Sequence, residues 1–288
     1  MNVVLAVLGG LGVAAAATLA WGWFEAGWVR LRWVEVPLPG LPPELDGLRI
    51  AHLSDFHLGA PSRGRRAVER AVDWVEERRP DFVFVTGDLL THPRGEPRLR
   101  ELARRLPGAY AVLGNHDFGD ARDPLATPSH LEELAPVRLL RDSEATTEVR
   151  GRRIQIVGVD PTSYRRGSAR PEERADPGAA LRILLCHFPR VFDRLRGGAF
   201  QLVLTGHLHD GQIALPYGFG KLRLAHLRGP YTKGLYRREG MVMHVSPGLG
   251  TTFVPLRFSA RPEATELTLR PVEPQAHGGS HLAVRVEH

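Results

Sequence analysis

Apolar positions first come as one unbroken run. Residues 2–24 (NVVLAVLGGLGVAAAATLAWGWF) carry no charge. That is long enough to cross a bilayer at roughly 20 residues per span. Trp21, Trp23 and Trp28 gather at its far end, where an interfacial aromatic belt would sit. No Lys or Arg precedes the run, so the basic head of a signal peptide is missing. The run reads first as a membrane anchor. The alternatives are a cleaved signal, with the small residues at 15–17 and Ala20 as cleavage site, and a buried core helix. If the run spans, Arg30 and Arg32 place the body that follows on the cytoplasmic side.

Beyond the head, short apolar runs alternate with amphipathic stretches. Strands are expected at 48–54 (LRIAHLS), 81–86 (DFVFVT), 109–113, 154–159, 181–186, 201–205, 241–245 and 265–269. Between 65 and 79, Ala67, Val68, Ala71, Val72 and Val75 recur at helical spacing, and Pro80 stops the pattern. Further helices are expected at 96–106, 129–134 and 190–195. This alternation argues for an α/β fold with parallel or mixed sheets. The stretch 215–234, with its glycines and prolines, reads as a loop. The expected division is an anchor (1–29), a connector (30–47), a main domain (48–270) and a loose tail (271–288).

Composition narrows the classes. Of 288 residues, 43% are hydrophobic and 24% charged, which suits a packed core and excludes global disorder. One cysteine, Cys186, excludes an internal disulfide framework and a multi-Cys zinc site. The net charge is +6, and only Lys221 and Lys233 are lysines. There is no concentrated basic tract and no aromatic–basic interleaving of the kind that stacks nucleic acid. An anionic membrane surface is the better partner.

Candidate chemistry lies where the strands end. Five expected strands run into ligand types: Asp55-Phe56-His57, Gly87-Asp88, Gly114-Asn115-His116-Asp117, Cys186-His187 and Gly206-His207-Leu208-His209. In open α/β sheets, ligands bind outside the carboxyl ends of strands. The glycines before ligands suit backbone that approaches a shared centre. Two carboxylates, one amide and four imidazoles form a mixed oxygen and nitrogen set. It suits transition ions more than calcium. It also exceeds the needs of one tetrahedral ion, so two ions are expected. Manganese is the first choice, with iron, zinc, nickel or magnesium as alternatives.

The series D-x-H, G-D, G-N-H-D, H and G-H-x-H resembles the calcineurin-like metallophosphoesterases. The likeness spans 48 to about 209 and extends to Gly248-Leu249-Gly250. With its apolar head, the chain is similar to the bacterial membrane-associated branch, which includes lipid-directed phosphodiesterases and a UDP-2,3-diacylglucosamine hydrolase. The resemblance implies a sandwich of two mixed β-sheets flanked by helices. It implies Asp55, His57 and His209 on one ion, Asn115, His187 and His207 on the other, and Asp88 between them. A hydroxide bridging the ions would attack the phosphorus. His116 would sit at the leaving oxygen, and Asp117 would orient His116, with a turn-capping role as its alternative. That branch tends to show G-H-T-H-G-G-Q where this chain has Gly206 to Gln212 with Asp210, a change that puts charge beside the metals.

Other residues carry less. His52 and His244 read as packed core histidines; His92, His130 and His226 as loop residues; His277, His281 and His288 as tail residues. Cys186 reads as inert packing. Arg63, Arg65 and Arg66 are candidates for phosphate or anionic headgroup contacts, with a solvated helix start as the alternative. Tyr231, Lys233 and Tyr236 are weaker substrate candidates. The resulting expectation is a phosphoesterase in the inner (cytoplasmic) membrane. It would cleave a phosphodiester or pyrophosphate of a lipid-linked substrate such as UDP-2,3-diacylglucosamine. A nuclease of the same chemistry and a non-catalytic membrane scaffold are the alternatives.

Overall fold

The computed structural model describes residues 2–119, 122–218, 220–224, 229–272 and 284–286. The apolar run forms one helix, α1 (Asn2–Glu25), which is exposed along its apolar length. A buried core helix is thereby excluded. After it come strands β1 (Arg30–Pro39), β2 (Arg49–Leu53), β3 (Phe82–Thr86), β4 (Tyr110–Val112) and β5 (Arg138–Leu139). Next are β6 (Ser143–Val149), β7 (Arg152–Gly158), β8 (Leu181–Leu185) and β9 (Leu202–Thr205). The chain continues through the hairpin β10 (Ala214–Tyr217) and β11 (Gly220–Arg223), then β12 (Gly234–Arg238), β13 (Met241–Val245), β14 (Glu263–Val272) and β15 (Val284–Val286).

Two mixed sheets result. One has the order β1-β14-β2-β3-β4-β5, the other β15-β12-β13-β9-β8-β7-β6. Their inner faces meet in a core that includes Val36, Ile50, Phe84, Ile156, Ile183 and Leu202. Helices α2 (Gly64–Arg78) and α3 (Glu96–Arg104) cover the first sheet's outer face through Ala67, Ala71, Val75 and Leu99. The second sheet's outer face carries a smaller core around Phe192, Phe200 and Met243, next to the short α4 (Pro161–Arg166). β2, β3 and β4 are mutually parallel, as are β8, β9 and β13. All six therefore end at one edge of the sandwich.

Five expectations need correction. Residues 30–47 are more than a connector, because β1 pairs along ten positions with β14. Residues 215–234 include a hairpin, with Leu215 opposite Leu222. Residues 129–134 form no helix. Leu131 and Leu134 are spaced like one helical face, yet they reach the core from an irregular segment. The stretch 190–195 becomes a 3-10 turn, Pro189–Arg194. Of the expected tail, β14 runs to Val272 and β15 pairs with β12; His277, His281 and His288 lie outside the described residues, as does His226.

Candidate metal centre

The strand ends bring seven ligand-type side chains together. Asp55 and His57 follow β2, Asp88 follows β3 and Asn115 follows β4. His187 follows β8, and His207 and His209 follow β9. Three overlapping groups of potential ligand atoms form: Asp55, His57 and His209; His57, Asp88 and His116; Asp88, His187 and His207. Asp88 Oδ2 lies between them, 3.2 Å from His187 Nε2 and 3.6 Å from His57 Nε2. His209 Nε2 stands 3.3 Å from Asp55 Oδ1 and 3.1 Å from His57 Nε2. His187 Nε2 stands 3.1 Å from His207 Nδ1.

Local backbone makes this convergence. Gly114 and Gly206 are the closest approaches. A Cβ on Gly114 would fall 2.1 Å from Asp88 Oδ1, and one on Gly206 would fall 2.4 Å from Asp55 Oδ2. Only glycine allows such contact. The second ring nitrogens of two ligands are tied. His187 Nδ1 donates to the Thr86 carbonyl at 2.8 Å, and His57 Nδ1 lies 2.9 Å from Thr91 Oγ1. These contacts leave each Nε2 facing the centre, the usual way a metal-binding imidazole is oriented.

Electrostatics agree with a cation site. Burial works against charge on His187, but the Asp88 and Asp55 carboxylates outweigh it and push its pKa up to about 9. Burial likewise opposes ionisation of Asp55 and Asp88, yet the imidazoles around them hold both below the usual carboxylate range. Asn115 Oδ1 is buried without a hydrogen-bond partner. An orphaned carbonyl oxygen of that kind costs about 1–3 kcal/mol unless something electropositive meets it. The donor set and this orphan fit a pair of divalent ions.

The flanks bring three further findings. Asp117 does not reach His116. Its carboxylate accepts from the backbone N–H groups of Leu90, Leu89 and Gly114, at 2.8, 3.3 and 2.8 Å. The turn-capping alternative is the one found, and burial, followed by the Asp88 charge, pushes the Asp117 carboxyl up to about 7. On the Nδ1 side of His116 stands Asp123, whose Oδ2 lies 4.0 Å away and accepts from Thr252 Oγ1 and the Phe253 N–H. Sequence patterning gave no signal for Asp123, which stands in an irregular segment. Nor did it flag Arg257, which is fully buried, reaches the carbonyls of Pro247, Gly250 and Ala260, and stands 3.0 Å from His209 Nδ1.

Asp210 is buried and bonded to Arg223 at 3.0 Å and Lys233 at 2.9 Å, so its charge is balanced locally. Lys233 is thus engaged by Asp210. His52 and His244 are the packed pair expected, with their Nδ1 atoms 2.7 Å apart. Cys186 is buried, and burial pushes its thiol up to about 12. His92 caps a turn by accepting from the Arg94 N–H, and His130 is exposed. Arg63, Arg65 and Arg66 line a polar pocket with Trp23. Tyr231 joins Tyr164, Phe188 and His207 in a mostly apolar cleft of about 350 Å³ beside the centre. The Tyr236 hydroxyl accepts from the Thr232 N–H.

Comparisons with known proteins identify the family. Residues 48–211 match the calcineurin-like phosphoesterase family. A transmembrane protein with metallophosphoesterase domain from Danio rerio is 34% identical, over 82% of this chain and 56% of its own length. The uncharacterized metallophosphoesterase YkuE of Bacillus subtilis is 29% identical, over 80% of this chain and 82% of its own. This chain thus spans little more than half the length of the Danio rerio relative. Among solved structures, the NAD nucleotidase of Haemophilus influenzae aligns with a TM-score of 0.46 and 17% identity, over 70% of this chain and 50% of that one.

Proposed function

The chain belongs to the calcineurin-like phosphoesterase family, and from that premise we propose a membrane-anchored hydrolase of phosphodiester or pyrophosphate bonds in lipid-linked substrates. Its metal-dependent phosphoesterase chemistry follows from the family. The observation that carries the site assignment is the sharing of Asp88 between ligand groups on both sheets. In this reading Asp55, His57 and His209 hold one divalent ion, Asn115, His187 and His207 hold the other, and Asp88 serves both. Mn2+ is the ion we assign, because the oxygen and nitrogen donors suit it. When bound, such a pair supplies Lewis-acid polarisation of phosphoryl oxygens and an activated water.

The chain's own residues do the rest. His57 and His187 stay oriented through Thr91 and Thr86. His116 stands 4.0 Å from Asp88 Oδ2 and 3.4 Å from Thr252 Oγ1, at the side of the ligand cluster. There it serves the leaving oxygen, either as a proton donor or as a hydrogen-bond donor to developing charge. Asp123 Oδ2 stands 4.0 Å from His116 Nδ1 on its other side. In this reading α1 holds the domain at the cytoplasmic membrane, and Arg30 and Arg32 after it support a cytoplasmic orientation.

The test is a substrate panel run on Mn-loaded full-length protein. It contains bis(p-nitrophenyl) phosphate, an oligonucleotide and UDP-2,3-diacylglucosamine in mixed micelles. Diester hydrolysis is expected, and His116→Asn should lower turnover by roughly 10²–10⁴-fold, the usual worth of a positioned acid. Unchanged turnover in His116→Asn contradicts its role. Preferential cleavage of the oligonucleotide replaces the lipid reading with the nuclease one.

A further inference from the structure

The end of α1 is not free of the catalytic domain. The Gly22 carbonyl accepts from the Arg257 N–H at 3.0 Å, and a Cβ on Gly22 would lie 2.5 Å from the Phe258 ring. Glu25 is buried; it accepts from the Ala260 N–H at 3.0 Å and from Trp21 Nε1 at 3.1 Å. Arg261 stacks over Trp28, 3.7 Å from the ring centre. The segment that receives the helix is therefore the one that carries Arg257 beside His209. Five residues upstream of Arg257, Thr252 stands against His116.

Large apolar side chains are exposed along this same surface. Phe253 (51%) and Val254 sit at the tip of that segment, held by Gln212, which donates to the Thr252 and Val254 carbonyls. The β10–β11 hairpin adjoins it, through the Ala214 N–H to the Phe258 carbonyl and Lys221 Nζ to the Ser259 carbonyl. It exposes Leu215 (48%) and Leu222, which pair on one face, and Leu224 follows (50%). Outside α1, few other large apolar side chains are exposed among the described residues. Contiguous exposed apolar surface of this kind marks an interaction site. At the same helix end, Arg63, Arg65 and Arg66 open a polar pocket of about 280 Å³ with Trp23 and Ser62. A belt of Trp, an arginine pocket and an apolar rim in that order match the chemistry of a bilayer's interface.

We propose that Phe253, Val254 and the leucines of the β10–β11 hairpin dip into the bilayer, so that the catalytic centre opens at the membrane plane onto phosphoesters of lipids. The bilayer is the occupant because the patch is continuous with the end of the span. This rests on the reading of α1 as an anchor, and it deepens it: the helix does more than tether. It sets which face of the domain meets the lipid. The arginine pocket then faces headgroup phosphates, where a cationic site at the interface gains from anionic lipid.

Site-directed fluorescence tests this without any activity measurement. Cys186 is buried, so one introduced cysteine can be labelled selectively in the full-length protein. Four variants are labelled with a nitrobenzoxadiazole dye: Phe253→Cys, Leu222→Cys, Leu8→Cys within α1, and Glu148→Cys. Glu148 is exposed on β6 near the opposite edge of the sandwich. Each is placed in nanodiscs of phosphatidylcholine and phosphatidylglycerol containing lipid with a nitroxide near the glycerol end of its acyl chain. Labels at 253 and 222 should lose roughly half of their emission or more, as a group seated at the headgroup–acyl boundary would. The label at 148 should keep its emission. Quenching at 8 but not at 253 or 222 overturns this inference while the anchor stands, and gives the patch to a protein partner. No quenching at 8 overturns the anchor and this inference together.

Discussion

Asp55, His57, Asp88, His207 and His209 all adopt positive φ, although none is glycine. Such backbone costs on the order of 1–3 kcal/mol per residue and persists where surroundings over-determine it. Five of the seven ligand-type residues carry it, as do Asp210, paired with its two cations, and turn residues elsewhere such as Arg79 and Arg150. Of the two alternatives for Asp117 the turn-capping one is found, and Asp123 is the carboxylate on the Nδ1 side of His116. Asp117→Asn would turn an amide N–H2 toward at least one of three buried backbone donors. Its melting temperature should fall, by a stability loss of about 1–3 kcal/mol. Asp123→Asn should lower turnover as well as stability, because both Asp123 oxygens accept from backbone N–H groups, of Phe253 and of Leu125. Thermal melts beside initial rates check the pair. The account fails at this point if Asp123→Asn is fully active or if Asp117→Asn melts like wild type. The ligands themselves were legible because each is fixed by a strand end and a short motif. Asp123 and Arg257 were not, since each enters from an irregular segment whose path no local pattern encodes.

At the level of elements, what could be read was the buried strand. Runs such as residues 82–86 and 241–245 are apolar on both faces, and their parallel neighbours confirm why. β1 escaped notice because Arg30, Arg32, Glu35 and Pro37 interrupt its apolar pattern, which an edge strand tolerates. The β10–β11 hairpin escaped because its glycines and prolines resemble a loop and its leucines face outward. The tight strand-to-ligand turns were legible from glycine alone. Gly114→Ala tests that element. Its Cβ would overlap Asp88 Oδ1, so the turn after β4 must move away from β3. Metal affinity should drop at least about 10-fold, the lower range for disturbed ligand support. Titration with Mn2+ under isothermal calorimetry measures it, and wild-type affinity in Gly114→Ala contradicts the packing argument.

For the whole molecule, neither sheet holds the centre alone. The first supplies Asp55, His57, Asp88 and Asn115, and the second supplies His187, His207 and His209. The sandwich core that joins the sheets is therefore also what holds the ligand geometry. The N-terminal helix packs its last turn against the segment beside His209, so the apolar helix and the centre share one end of the fold. The apolar head and the cation-seeking cluster, both visible in the sequence, meet there for a reason the sequence did not show. Metal content is the most direct measure of the central claim. Full-length protein is stripped with chelator, reconstituted with Mn2+, desalted and assayed by inductively coupled plasma mass spectrometry, alongside Asp88→Asn. The account predicts about two ions per wild-type chain, as a two-metal phosphoesterase requires, and about one or fewer in Asp88→Asn. A wild-type chain that retains none, or an Asp88→Asn chain that retains two, would contradict it.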